Sequence, residues 1–284
     1  RFALALTIAD NGYMGLISAS VLDFEKPWEQ TTSVMTAFPM GKYKLPETSA
    51  AGVTSYTDSR VNMRFEAANG VRHISCVFHK FLRDETLEAE LTLTDEPQHS
   101  MVIATPFEKP KAFYYNQKIN CMRADGFMRL GGKTYDFSVE DSFATLDWGR
   151  GVWTYDNTWY WGNGNGTVNG HRVGFNIGYG FGDTSAASEN MIIYDGTAHK
   201  LSKVSFNIPA DSYTKPWTFT SDDGRFEMDF VPVIDRAART NALIIESDQH
   251  QVFGRFTGKM VLDGGDVIEL KDFMGFAEKV HNRY

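Results

Sequence analysis

The chain has 284 residues, 42% of them hydrophobic and 23% charged, with a formal net charge of −8. That length suits one large β domain or two smaller ones. The acidic balance argues against nucleic acid and anionic membrane as partners, since both select basic patches, and no apolar run approaches the length of an integral membrane segment.

Phe2, Leu4, Leu6 and Ile8 alternate with smaller or polar residues, the period of a half-buried strand. Asn11-Gly12 then interrupts, and a second β-compatible run begins at Tyr13. Asn-Gly between two such runs predicts a hairpin, because a type I′ turn needs positive φ at both central residues. Residues 26–52 carry Pro27, Pro39 and Pro46 and read as a long loop. A second hairpin is expected at Asn69-Gly70. Leu87, Ala89, Leu91 and Leu93 then alternate with Glu88, Glu90 and Thr92, one face for a core and one for water. Pro97, Pro106 and Pro110 break the pattern and place a boundary near residues 96–112. The expected domains are 1–105 and 106–284.

The second part is also strand-rich. Turns are expected at Gly131-Gly132 and at Asp263-Gly264-Gly265. Between them, Val173, Phe175, Ile177, Tyr179 and Phe181 share one face of a strand. Its other face is Gly174, Asn176, Gly178, Gly180 and Gly182. Glycine in a strand packs nothing, so something else fills that face: a closely approaching backbone or ring, or a ligand with Asn176 as the polar handle. No segment keeps a 3.6-residue apolar period. The fold class is all-β, built of antiparallel meanders that close as barrels or pack as sandwiches.

Residues 147–166 hold four of the six Trp. Trp159 and Trp161 fall on one strand face, and Asn163 follows them. Trp148 and Trp153 lie across an expected tight turn at Gly149-Arg150-Gly151. Such rings serve as core packing, or they stack on sugars, polyenes or cationic intermediates. Asp147 and Arg150 read either as a structural ion pair or as a general acid/base with the guanidinium that orients it. Glu189-Asn190, at a loop-to-strand edge, offers a second carboxylate and an amide; the alternative is a surface turn. Three outlying candidates are Asp229, expected on a solvated face, His250, expected at a strand edge, and Glu278, expected to be partly buried.

Several chemistries have no sequence support. Cys76 and Cys121 lack metal or redox spacing, there is no zinc-binding His cluster, and the glycines of 162–166 form no nucleotide-binding loop. Neither a metal nor a cofactor is expected. Two unframed cysteines favour a reducing compartment, hence a cytoplasmic protein. The chain opens at Arg1 inside a strand-like run, so residues upstream of it are expected and the lack of a visible leader carries little weight.

The segments "AFYYNQKINCM", "LDWGRGVWTYDNTWYWGNGNG", "GYGFGDTSAASENMIIYDG", "DDGRFEMDFVP", "HQVFGRFTG" and "GFAEKVHNRY" together resemble the family catalogued as domain of unknown function 2804. Asp-Trp-Gly-Arg-Gly and Glu-Asn are its most specific marks. More remotely, the layout is similar to lipocalin-like (calycin) proteins such as carotenoid 1,2-hydratases and tocopherol cyclases. That resemblance implies two consecutive calycin-like β domains around a ligand pocket. Residue chemistry then points to a small-molecule ligand, apolar or glycan. One reading is acid–base catalysis by Asp147 and Glu189, with Arg150 orienting Asp147; Trp148, Trp153, Trp159, Trp161, Asn163, Asn176 and Asn190 would contact the ligand. Hydration, isomerisation or cyclisation would be the reaction class. A carbohydrate-active enzyme with paired carboxylates and a non-catalytic carrier are the alternatives.

Overall fold

The computed structural model describes residues 1–242 and 245–283. Tyr284, the last residue of the "GFAEKVHNRY" segment, lies outside that range. The chain is all-β and antiparallel throughout its described pairings. The strands are β1 (Phe2–Asp10), β2 (Met14–Asp23), β3 (Trp28–Ala37), β4 (Gly52–Thr57), β5 (Val61–Ala68), β6 (Val71–Leu82) and β7 (Glu85–Thr94). Then come β8 (Met101–Pro106), β9 (Phe113–Leu130), β10 (Lys133–Phe137), β11 (Phe143–Val152), β12 (Asp156–Val168) and β13 (His171–Tyr179). The last are β14 (Met191–Tyr194), β15 (Thr197–Lys200), β16 (Val204–Asn207), β17 (Trp217–Ser221), β18 (Phe226–Ala242), β19 (Ile245–Val261) and β20 (Val267–Arg283).

Two compact units divide the chain: Arg1–Glu96 with Met122–Phe143, and Pro97–Cys121 with Ala144–Tyr284. This differs from a single cut after residue 105, because segment 122–143 belongs with the first unit. The reason lies in β9, whose residues 123–129 pair with β7 while residues 113–118 pair with β8.

In the first unit β1-β2-β3 form one sheet, and β10-β9-β7-β6-β5-β4 follow one another in a second. Val61, Met63, Phe78, Leu87, Ala89 and Met128 share its apolar core with Ile17, Ala19 and Val21. Asn69 and Gly70 both take positive φ between paired Ala68 and Val71, the two-residue turn that the sequence predicts. Gly131-Gly132 does the same. The first hairpin forms as well, but its connection is longer: Asp10 pairs with Gly15, and of Asn11 and Gly12 only Gly12 has positive φ. The expected loop over 26–52 is corrected by β3. Only one of its ten residues, Val34, is buried, so this outer strand carries no apolar alternation to read.

The second unit is built on a nine-stranded sheet in the order β15-β14-β13-β12-β20-β19-β18-β17-β16. One face is an aromatic core of Phe175, Phe219, Phe226, Phe230, Phe256 and Trp217. The other face receives side chains from β9 and β11. Thr145 Oγ1 donates to Asn163 Oδ1 at 2.9 Å, and the Cys121 amide donates to Asn165 Oδ1 at 2.8 Å. Residues 149–151 are not a turn but part of β11. A Cβ on Gly149 would lie 2.4 Å from the Tyr114 hydroxyl, and one on Gly151 would lie 2.2 Å from the Phe113 carbonyl. These glycines admit the neighbouring strand rather than bend the chain. Gly180 and Gly182 lie beyond the end of β13, with φ of 98° and 83°. Cys76 and Cys121 are both buried, and no disulfide is formed among the described residues. No helix among the described residues is long and apolar enough to cross a membrane.

Candidate active site

Alternation along three neighbouring strands sets the site. On β12, Tyr160, Gly162 and Gly164 turn to the aromatic core, so Trp159, Trp161, Asn163 and Asn165 project from the opposite face. Trp161 stands in register with Gly178 on β13 and with Glu278 on β20. Asn163 stands opposite Asn176 and Phe276. Trp161 Nε1 donates to Asn176 Oδ1 at 2.7 Å, and Trp159 Nε1 donates to Glu278 Oε1 at 3.0 Å. Both indole N–H groups are therefore satisfied while the rings remain partly accessible.

Gly178 has a specific use. A Cβ there would fall 2.7 Å from the Glu189 carboxyl carbon, so the missing side chain is the space that the carboxylate occupies. Asn176 Nδ2 holds Glu189 by its carbonyl at 2.9 Å and its Oε2 at 3.1 Å. Asn190, 2% exposed, accepts from the Gly178 amide at 2.7 Å and donates to the Ser202 carbonyl at 2.8 Å. Its amide is committed to main chain on both sides, beneath Glu189. Glycine at 174 similarly admits the Cys121 sulfur.

At the centre sits Lys118, a residue that the sequence reading passed over. Its ammonium lies 3.7 Å from Asp147 Oδ1, 3.4 Å from Glu189 Oε2 and 4.0 Å from the centre of the Trp161 ring. Burial alone would lower the Lys118 pKa, but the charges of Asp147, Glu189 and Glu278 outweigh it and the net shift is upward. Lys118 is thus held as a cation. Glu278 moves the other way from an ordinary carboxylate. Burial raises its pKa, and the hydrogen bonds from Trp159 and Gln251 with the Lys118 charge reduce that rise without cancelling it.

Asp147 is the open end of this network. Its side chain is 42% exposed, against 15% for Glu189. Asn116 Nδ2 donates to Asp147 Oδ1 at 2.9 Å. Among the described residues Arg150 makes no ion pair with Asp147. The expected partnership is corrected: even-numbered residues of β11 point away from the face that carries Thr145 and Asp147, and Lys118 supplies the cation. Trp148 shares the Arg150 side, edge-on to Tyr115 at 5.8 Å. Trp153 and Trp159 instead join an aromatic cluster around Phe181, at 5.7 and 5.1 Å, with Tyr114 at 4.9 Å. Asp229 is exposed, as expected. His250 is not at an edge, since β19 lies between β18 and β20, and it belongs to the other face of the sheet.

The signal for Lys118 was present. Asn116, Lys118 and Asn120 occupy alternate positions of one strand and are all buried, which makes one face of β9 polar over residues 116–120. A buried polar stripe needs partners, and that need is what the sequence displays there.

The whole chain aligns in fold with a kievitone hydratase from Nectria haematococca, at 10% identity, a TM-score of 0.53 and 84% coverage of that chain. A Nitrosomonas europaea protein described only provisionally as AttH aligns over 98% of this chain and 85% of its own, at 13% identity and a TM-score of 0.55. These likenesses establish a shared all-β fold of the lipocalin-like class expected from the sequence. No functionally curated protein matches the chain significantly. The family model for domain of unknown function 2804 matches residues 1–284, and the chain belongs to that family.

Proposed function

We propose that the second unit binds a small, largely apolar molecule and adds water to it or removes water from it, with Asp147 as the proton-transferring residue. One observation carries this reading: Asp147, Lys118 and Glu189, from three separate segments, converge beside Trp161. A proton from the acid form of Asp147 would go to one carbon of a double bond. The cation left on the neighbouring carbon would form against the rings of Trp153, Trp159 and Phe181, whose faces favour positive charge. Water adds there and returns a proton to Asp147; elimination runs in reverse. Lys118 and Asn116 fix the carboxylate, and Glu189 fixes Lys118.

The hydratase among the similar structures is named for kievitone, which makes kievitone the first compound to try. Incubation in 18O-labelled water followed by mass spectrometry should show gain of one labelled water. Asp147→Asn should slow that gain by about 100-fold or more, the usual loss for a general acid–base group. An unchanged rate in Asp147→Asn would remove Asp147 from the chemistry. Binding without turnover in the unaltered protein would favour the carrier reading.

A further inference from the structure

Tyr114 lies on the same face of β9 as Asn116, Lys118 and Asn120, at the end where the buried polar stripe begins. Its half-buried ring joins the aromatic cluster, 4.9 Å from Phe181 and 6.0 Å from Trp153. Its hydroxyl reaches the amide that also holds Asp147. We propose that Tyr114 is a second catalytic residue of the site: its hydroxyl holds the water oxygen that adds to the cation, or that leaves in the reverse reaction. This role rests on the addition or removal of water by Asp147 proposed above.

The argument starts from Asn116, which is 1% exposed. Its Nδ2 donates to Tyr114 Oη at 2.8 Å, to Asp147 Oδ1 at 2.9 Å and to the Trp148 carbonyl at 3.1 Å. The carbonyl can only accept, so the amide is fixed with its nitrogen toward all three oxygens. The phenol and the carboxyl group are thus neighbours on one nitrogen, close enough for a single water molecule to lie between them. Asn116 and Lys118 both hold Asp147 by Oδ1, which leaves Oδ2 to carry the proton. A phenol that accepts from an amide becomes a stronger donor through its own O–H. Water held by that O–H keeps a lone pair to form the C–O bond and gives its proton to Asp147, while Tyr114 keeps its own. In the reverse direction Asp147 protonates the hydroxyl group of the substrate, the C–O bond breaks, and the departing water stays on Tyr114.

Gly149 supports the same assignment. A Cβ there would lie 2.4 Å from the Tyr114 hydroxyl and 2.7 Å from Cζ, the carbon that bears it. The backbone at 149 is outside the positive-φ region, so conformation does not demand glycine; the tip of the phenol does. The Asp-Trp-Gly segment of β11 therefore brings two things to one place, the carboxyl group of Asp147 and the space that the Tyr114 hydroxyl fills.

The test incubates the protein with kievitone in heavy water enriched in 18O and counts both labels by mass spectrometry, above a protein-free blank. The unaltered protein should gain one deuterium at carbon for each 18O. Tyr114→Phe should cut the gain of 18O by about tenfold, the loss of one hydrogen bond. Deuterium should still enter the alkene, because Asp147 still gives its proton and an uncaptured cation sheds one from a neighbouring carbon. Gly149→Ala displaces the phenol from a different strand and should raise the ratio of deuterium to 18O in the same way. Thermal melts check that both variants remain folded. Equal loss of the two labels in the folded variants, or full retention of 18O, overturns the role of Tyr114 and leaves that of Asp147 standing. No label in the unaltered protein overturns the proposed reaction, and this role with it.

Discussion

On one face of the nine-stranded sheet Phe175, Phe226, Phe230 and Phe256 pack ring against ring, at centroid distances from 4.5 to 5.2 Å. On the other face, one residue away along the same strands, lie Asn163, Asn176, Glu278 and the ammonium of Lys118. Both faces are buried, yet they are held by different physics. The aromatic face is stabilised by area removed from water and by shape, so it tolerates exchange among apolar groups of similar volume. The polar face is stable only while each charge keeps its partner, because an unpaired buried charge costs far more than a lost contact.

Four substitutions separate these two regimes. Phe256→Ala should have the largest effect, a loss of about 3–5 kcal/mol in denaturant unfolding, since its ring is fully buried. Lys118→Met comes next. Its hydrophobic volume is similar, so a loss of about 3 kcal/mol would come from removing the cation that Asp147 and Glu189 share. A neutral or stabilising result would show that packing, not charge, governs this face too.

Glu278→Gln gives a smaller change, with a sign that depends on pH. Burial lifts the folded pKa of Glu278 above its ordinary 4.5. The folded chain therefore holds that proton more tightly than the unfolded chain. The contribution to stability is complete below pH 4.5 and is lost as pH rises through the folded value. Glu278→Gln should flatten this part of the stability profile, measured by melts from acid to neutral pH; an unaltered slope would contradict the assignment. Arg150→Ala should change stability by less than about 0.5 kcal/mol, because the side chain is exposed on the far side of β11. A large loss would restore the pairing with Asp147.

Local patterns were legible in the sequence, and distant meetings were not. Alternation identified β7, and positive-φ residue types identified the turns at Asn69-Gly70 and Gly131-Gly132. Trp159, Trp161 and Asn163 were placed on one face because a strand has period two. Gly149 and Gly151 misled, because glycine marks both turns and close approaches, and only the position of Tyr114 separates the two. Lys118 meets Asp147 across 29 residues and Glu189 across 71, through strand pairings that no local window contains. His250 was read as an edge residue because its partner, Asp235, lies on the neighbouring strand of a long hairpin.

The pairing of β12 with β20 bears on how the chain is made. Trp159 and Glu278 are 119 residues apart, so their hydrogen bond closes one of the longest loops in the protein. Closing such loops is entropically slow, whereas β19 and β20 form a hairpin whose contacts are local. During synthesis, the strands up to β19 emerge while the sheet position beside β12 stands vacant. Until β20 leaves the ribosome, Trp159 lacks its acceptor and the polar face lacks one of its carboxylates. Co-translational folding can complete the first unit well before this point, but Trp159 and Trp161 gain their β20 neighbours only when that last strand docks.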